Sequence, residues 1–280
     1  MRNKSNFLLI FIRGLLMGTA DVIPGVSGGT IALITGIYSQ LIHAISQVND
    51  LLIKELINFR LKKVFPNIKK LNFKLFIPLI LGILIALFSF SHVISLLLSD
   101  YTALTYAFFF GLILSSAFFV YKQTDNINLN KSLFLVLGLL FALWFVGLEA
   151  FKTNHSFMVL FLSGAIAICA MILPGISGAF ILVLLNQYEF VINAIKNLLV
   201  LKLVIFGFGA LVGLLSFSKL LDYLLTKHKS LTMSFLTGLM VGSLRVPVEK
   251  VIAYQQSLPS VLTAALLGLV LVFLLEKKFS

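Results

Sequence analysis

Two stretches decide how this chain is read: GTADVIPGVSGGTIALITGIYSQLIHAI at 18–45 and ICAMILPGISGAFILVLLNQYEFVINAI at 168–195. They align without a gap at an offset of 150 residues. Pro24 meets Pro174, Gly25 meets Gly175, Ser27 meets Ser177, Gly28 meets Gly178 and Tyr38 meets Tyr188. Self-similarity at a fixed spacing marks a duplicated unit. A second match follows at an offset of 127, between SFSHVISLLLSDYTALTYAFFFG (89–111) and SFSKLLDYLLTKHKSLTMSFLTG (216–238). The 23-residue difference between offsets is an insertion in the first copy, at about 46–72. Chance likeness between apolar segments is the competing explanation. The shared Pro-Gly-x-Ser-Gly with gap-free flanks argues against it.

The composition places this duplication in lipid. Of 280 residues, 60% are apolar and 11% charged, with a mean hydropathy of +1.07. A soluble domain runs about 45–50% apolar and about 25% charged. A soluble enzyme, a nucleic-acid module and a disordered tail are therefore excluded. The single cysteine, Cys169, forms no intrachain disulfide, and His43, His92, His155 and His228 show no ligand spacing, so no metal centre is expected. Arg13 interrupts the N-terminal apolar stretch, which reads as retained rather than cleaved.

Six apolar runs have the length of membrane spans: 75–98, 103–121, 132–150, 203–221, 231–246 and 259–275. Three lie in each half. The repeated units, 7–45 and 157–195, instead read as pairs of apolar arms joined by Pro-Gly-x-Ser-Gly. Proline removes an N–H and clashes with the preceding turn, and the glycines admit backbone angles closed to other residues. Residues 22–42 and 156–188 carry no charge. Irregular backbone at membrane depth needs protein or a wet cavity around it. Each unit is therefore read as a re-entrant helical hairpin; two full spans joined by a tight turn is the alternative. The expected fold is an all-α polytopic membrane protein of two inverted-topology repeats, each a hairpin plus three transmembrane helices. The repeats cover 1–154 and 155–280.

Basic residues orient the chain. With the N-terminus in the cytoplasm, 17 of the 22 lysines and arginines fall on the inner side, and Lys152, Lys196, Lys202, Arg245 and Lys250 on the outer. Both termini are then cytoplasmic. The insertion at 46–72 mixes leucine, isoleucine and phenylalanine with lysine and arginine. It reads as a basic helix on anionic membrane lipids, with a solvated loop as the alternative. Three spans between the hairpins turn the second copy upside down. Inverted repeats with broken helices meeting near the midplane are the signature of secondary transporters.

The breaks carry the candidate chemistry. The first N–H groups of the arm after each break have no helical partner, and the helix dipole adds about half a positive charge there. Glycines at 28, 29 and 178 let an oxyanion approach, and Ser27, Thr30 and Ser177 add hydroxyls. The competing role for these small residues is close packing between helices. Ionisable groups in apolar segments are the other candidates. Arg13 would bind the anion or snorkel to the interface. Asp21, eight residues on, would carry a coupling proton or close a helix end by a hydrogen bond. Glu189 is a second coupling candidate and Arg245 a second anion ligand, each with interfacial anchoring as the alternative. Position 171 is methionine, so Asp21 has no twin. A coupling proton or sodium ion is expected, but no cofactor.

At GTADVIPGVSGGTIALITGIY, AICAMILPGISGAFILVLL and GLMVGSLR the chain resembles the bacterial polyprenyl-phosphate translocases, once catalogued as a domain of unknown function. The resemblance spans nearly the whole chain. It departs from the family pattern at Ala179, where a small polar residue is usual, and near Gln187, where glycine is. It implies inward flipping of undecaprenyl phosphate across the bacterial cytoplasmic membrane for cell-wall and surface-glycan synthesis. It places the family's motif positions at Arg13, Asp21, Pro24 to Thr30, Pro174 to Gly178, and Arg245. A transporter of a small soluble anion and an intramembrane lipid phosphatase are the alternatives. A homo-oligomer is compatible with the fold.

Overall fold

In hydrocarbon each backbone N–H and C=O must be satisfied within the protein, so an apolar chain without paired strands becomes helical. The computed structural model describes residues 7–22, 26–48, 71–124, 128–151, 153–254 and 256–279. Among these residues every element is a helix. The first half holds α1 (Phe7–Asp21), α2 (Gly28–Ile34), α3 (Tyr38–Val48), α4 (Phe73–Asp100), α5 (Thr102–Lys122) and α6 (Leu129–Val146). The second holds α7 (Phe157–Ile172), α8 (Gly178–Leu184), α9 (Tyr188–Lys196), α10 (Val200–Lys227), α11 (Lys229–Ser243), α12 (Arg245–Ala253) and α13 (Leu258–Phe279). Pro24 and Gly25 lie outside the described residues, as does 49–70, most of the basic insertion.

Among the described residues, six helical segments, α11 and α12 counting as one, are long and apolar enough to cross a membrane, or up to eight if each bent pair counts as one span. The chain is a multi-pass membrane protein. In α5 and in the α11–α12 segment, 67% of the apolar window is buried, against 11–28% in the other four. These two segments form the centre, and α4, α6, α10 and α13 turn large apolar side chains outward.

The two halves build their contacts at matching positions. Helix α1 packs along α4, and α7 along α10. A side chain on Gly14 would strike the Leu79 carbonyl, and one on Gly164 that of Phe206. Gly82 faces the Phe11 carbonyl, and Gly209 that of Phe161. All four pairs obey the offsets of 150 and 127. Small residues let backbones approach closely, which is how helices associate in lipid. The third spans cross between halves, α6 onto α11 and α13 onto α5.

Two boundaries differ from the sequence expectation. The span expected at 231–246 lies within a longer candidate span, Lys229–Ala253, which is interrupted at Leu244 because Pro247 cannot donate to the carbonyl four residues earlier. Arg245 therefore heads α12, inside that candidate span. The arm after each break is also not continuous. It bends by 119° between α2 and α3 and by 104° between α8 and α9. Gly36, at φ +71°, and its twin Asn186, at φ 54°, sit at these bends in the left-handed region. At 1.5 Å per residue, the seven residues of α2 and α8 span about 10 Å, well short of the roughly 30 Å of hydrocarbon.

Candidate functional site

The two breaks meet. Ser27 is the N-cap of α2; its Oγ accepts from Gly29 N at 3.1 Å. The same hydroxyl faces the carbonyls of Leu173 (3.0 Å) and Met171 (3.2 Å) in the second repeat, to which it donates. Thr30 Oγ1 accepts from the backbone N–H of Gly175 at 3.1 Å. A Cβ on Gly29 would lie 2.6 Å from the Ile172 carbonyl oxygen. Gly175 has φ +85° and would bring a Cβ to 3.1 Å from the Leu239 carbonyl oxygen of α11. Ser27, Thr30, Pro174, Gly175 and Ser177 are all buried. The glycines pack the tips tightly, as the packing alternative required.

Asp21 closes the first tip. Its Oδ1 accepts from Gly28 N at 2.7 Å. A Cβ on Gly28 would lie 2.6 Å from Asp21 Oδ2, so only glycine leaves room for the carboxylate. The sequence expectation of unpartnered N–H groups at the start of α2 therefore needs correction. Gly28 N is taken by Asp21 and Gly29 N by Ser27 Oγ, and Thr30 N bonds Ser27 O at 3.0 Å. A carboxylate already stands where an anion would bind. At the second tip Ser177 makes no side-chain cap bond, and Met171 stands where Asp21 does in the first. Gly178 packs on its own first arm, its Cβ position 2.8 Å from the Ala167 carbonyl oxygen.

The other candidates are not gathered at this contact. Arg13 is half-buried on α1, about 12 Å along the helix from Asp21. Arg245 Nη1 donates to the Leu143 carbonyl at 3.2 Å, and Nε pairs with Glu249 Oε1 at 2.6 Å. It thus binds the carbonyl end of α6 to α12, a C-terminal capping role. Glu189 is exposed in the first turn of α9. It borders an open cavity of about 580 Å³ with His155, Asn193 and Lys196, and none of the tip residues described above borders it.

Helix α10 touches both return arms. Near its start Lys202 Nζ lies 4.7 Å from the centre of the Phe190 ring of α9. Near its end Asp222 meets α3: His43 Nδ1 lies 3.1 Å from its carboxylate, and Ser46 Oγ donates to it at 2.7 Å. The twenty intervening residues rise about 30 Å. Phe190 and Asp222 gave no signal in sequence for this link, since neither has a matching partner in the other repeat.

The comparisons with known proteins bear on this arrangement. The profile of the undecaprenyl phosphate translocase-like family matches residues 17–271, nearly the whole chain and both breaks. The chain belongs to that family. A polyprenyl-phosphate transporter of Vibrio cholerae is 43% identical over 239 residues, 85% of this chain and 77% of the relative. A polyprenyl-phosphate transporter of Staphylococcus aureus is 34% identical over 251 residues, 83% of each chain. Both are named as transporters, not enzymes. No solved structure matches. In this translocase-like chain, no group of three or more potential metal ligands occurs among the described residues.

Proposed function

We propose that this protein carries polyprenyl phosphate, in the form of undecaprenyl phosphate, from the outer to the inner leaflet of the bacterial cytoplasmic membrane. The relatives' names and the family match support the substrate class. The observation that carries the mechanism is the contact between the tips, with Asp21 on Gly28 N. A phosphate monoester bears about −1.5 to −2 charges at pH 7, and bare passage through hydrocarbon is prohibitive. The start of α2 offers a seat for that head. Asp21 holds that seat by accepting from Gly28 N. A bound phosphate and an ionised Asp21 repel one another, so loading goes with protonation of Asp21.

That proton has an energetic purpose. Moving an anion inward works against an inside-negative potential by about 2.3 kcal/mol per charge per 100 mV. A proton moving with the phosphate cancels one charge of that cost.

The repeats are inverted in this reading, and alternating access is their rocking about the tips. The basic-residue count supports cytoplasmic termini. The position of α3 and α9 about 30 Å apart along α10 supports entry of the two hairpins from opposite faces.

The test is reconstitution. Liposomes containing the protein and short fluorescent polyprenyl phosphate are scored for loss of outer-leaflet phosphate. Cells lacking the protein, with redundant carriers removed, accumulate the lipid on the outer leaflet. No flipping in liposomes and no accumulation in cells refute the reading.

A further inference from the structure

The first hairpin walls a cavity of about 270 Å³. One end carries Asp21, Gly28 and Gly29, the residues at the start of α2. The remaining wall is apolar apart from Tyr38 and draws on both repeats, with Phe76 from α4 and Leu214 from α10. Ile80 at the rim is 50% exposed on the outward side of α4, so the cavity opens toward surrounding lipid. Tyr38 is buried, and its hydroxyl has no hydrogen-bond partner among the described residues. A buried hydroxyl without a partner is costly and calls for an explanation.

Two ligand forms share the chemistry of the polar end: a free anion, and an anion bearing a hydrocarbon chain. A free anion leaves the apolar remainder unfilled, and apolar cavities stay dry until an apolar guest enters. A chain-bearing anion fills both ends. The open rim gives the rest of the chain a way out, and Tyr38 has an unused donor for a polar head.

We infer that the cavity seats the isoprene units next to the phosphate, so the protein holds the head-proximal part of the tail instead of leaving it in bulk lipid. This rests on the transport reading above. At about 30 Å³ per water-sized group in a liquid, the cavity holds about nine groups, enough for the phosphate and the first five-carbon unit, with the second at the open rim. Recognition then covers the head and the first units of the tail, and is blind to the tail beyond.

The test uses purified protein in lipid nanodiscs. Inorganic phosphate, geranyl phosphate, farnesyl phosphate and undecaprenyl phosphate compete against labelled undecaprenyl phosphate. Ala32→Leu on α2 and Leu214→Phe on α10 narrow the cavity from opposite repeats, so either one suffices if the other fails to fold. Geranyl phosphate competes at least about tenfold better than inorganic phosphate in the natural protein, since burial of each methylene is favourable. Farnesyl phosphate adds little more. In either variant the advantage of geranyl phosphate falls about fivefold through overpacking, while competition by inorganic phosphate is unchanged. A steady rise with chain length, identical in natural and variant proteins, overturns the inference and leaves transport intact. Absence of binding by every phosphate, undecaprenyl phosphate included, overturns the transport reading as well.

Discussion

The backbone N–H of Gly175 donates to Thr30 Oγ1 at 3.1 Å, joining two segments 145 residues apart at the place where both helical arms break. Thr30 is fully buried, so this bond has no water to replace it. Thr30→Val keeps the shape and removes the acceptor. A buried donor left unpaired costs about 1–3 kcal/mol. Unfolding in detergent should show that loss, and Thr30→Ser should recover most of it.

Two glycines separate crowding from conformation. Gly29→Ala drives a Cβ to 2.6 Å from the Ile172 carbonyl oxygen and forces the tips apart. Gly36 has open space around it but φ +71°. Gly36→Ala should cost about 1–2 kcal/mol through backbone strain alone. Gly36→Asn should cost less, because asparagine tolerates this region and Asn186 occupies the twin site. Flipping in liposomes should be abolished by Gly29→Ala and survive Gly36→Asn.

Asp21→Asn keeps an oxygen to accept from Gly28 N and removes the charge. Its stability should stay within about 1 kcal/mol of the natural protein, the value of one neutral hydrogen bond. Its flipping should no longer respond to an imposed pH gradient. A full response in the variant excludes Asp21 as the proton carrier.

Asp222→Asn weakens the link between α3 and α10. In the pair with His43 the imidazole is exposed, at 59%, and Asp222 partly buried, at 23%. The change in unfolding free energy should therefore be below about 1 kcal/mol. Spin labels at Gln47 and Lys227 should nevertheless report a broader distance distribution.

Much of the fold was legible because lipid leaves few options. Six spans, two breaks and the duplication all follow from apolar run length, proline and glycine. The bends at Gly36 and Asn186 were less visible, since one twin is not glycine and the flanking residues stay apolar. The break before α12 was written in Pro247, one residue past the expected end of a span. The site was legible only in part. Ser27 and Asp21 stood out by type, and a hydrogen bond closing a helix end was one of the roles open to Asp21. Their partners could not be read: Leu173, Met171 and Gly175 contribute backbone atoms, which carry no mark in sequence. Arg245 and Glu189 looked like site residues because charge in an apolar segment is rare. Both stand near helix ends, the setting of the anchoring alternative, and Arg245 has the Leu143 carbonyl and Glu249 as partners.

Helix α10 is one unbroken rod of 28 residues that bears on α9 near one end and α3 near the other. A rigid rod held this way behaves as a see-saw. Tilting it toward the return arm on one face draws it from the return arm on the opposite face. In the alternating access proposed above, this leverage would make access from the two sides mutually exclusive, without any separate signal passing through the tips.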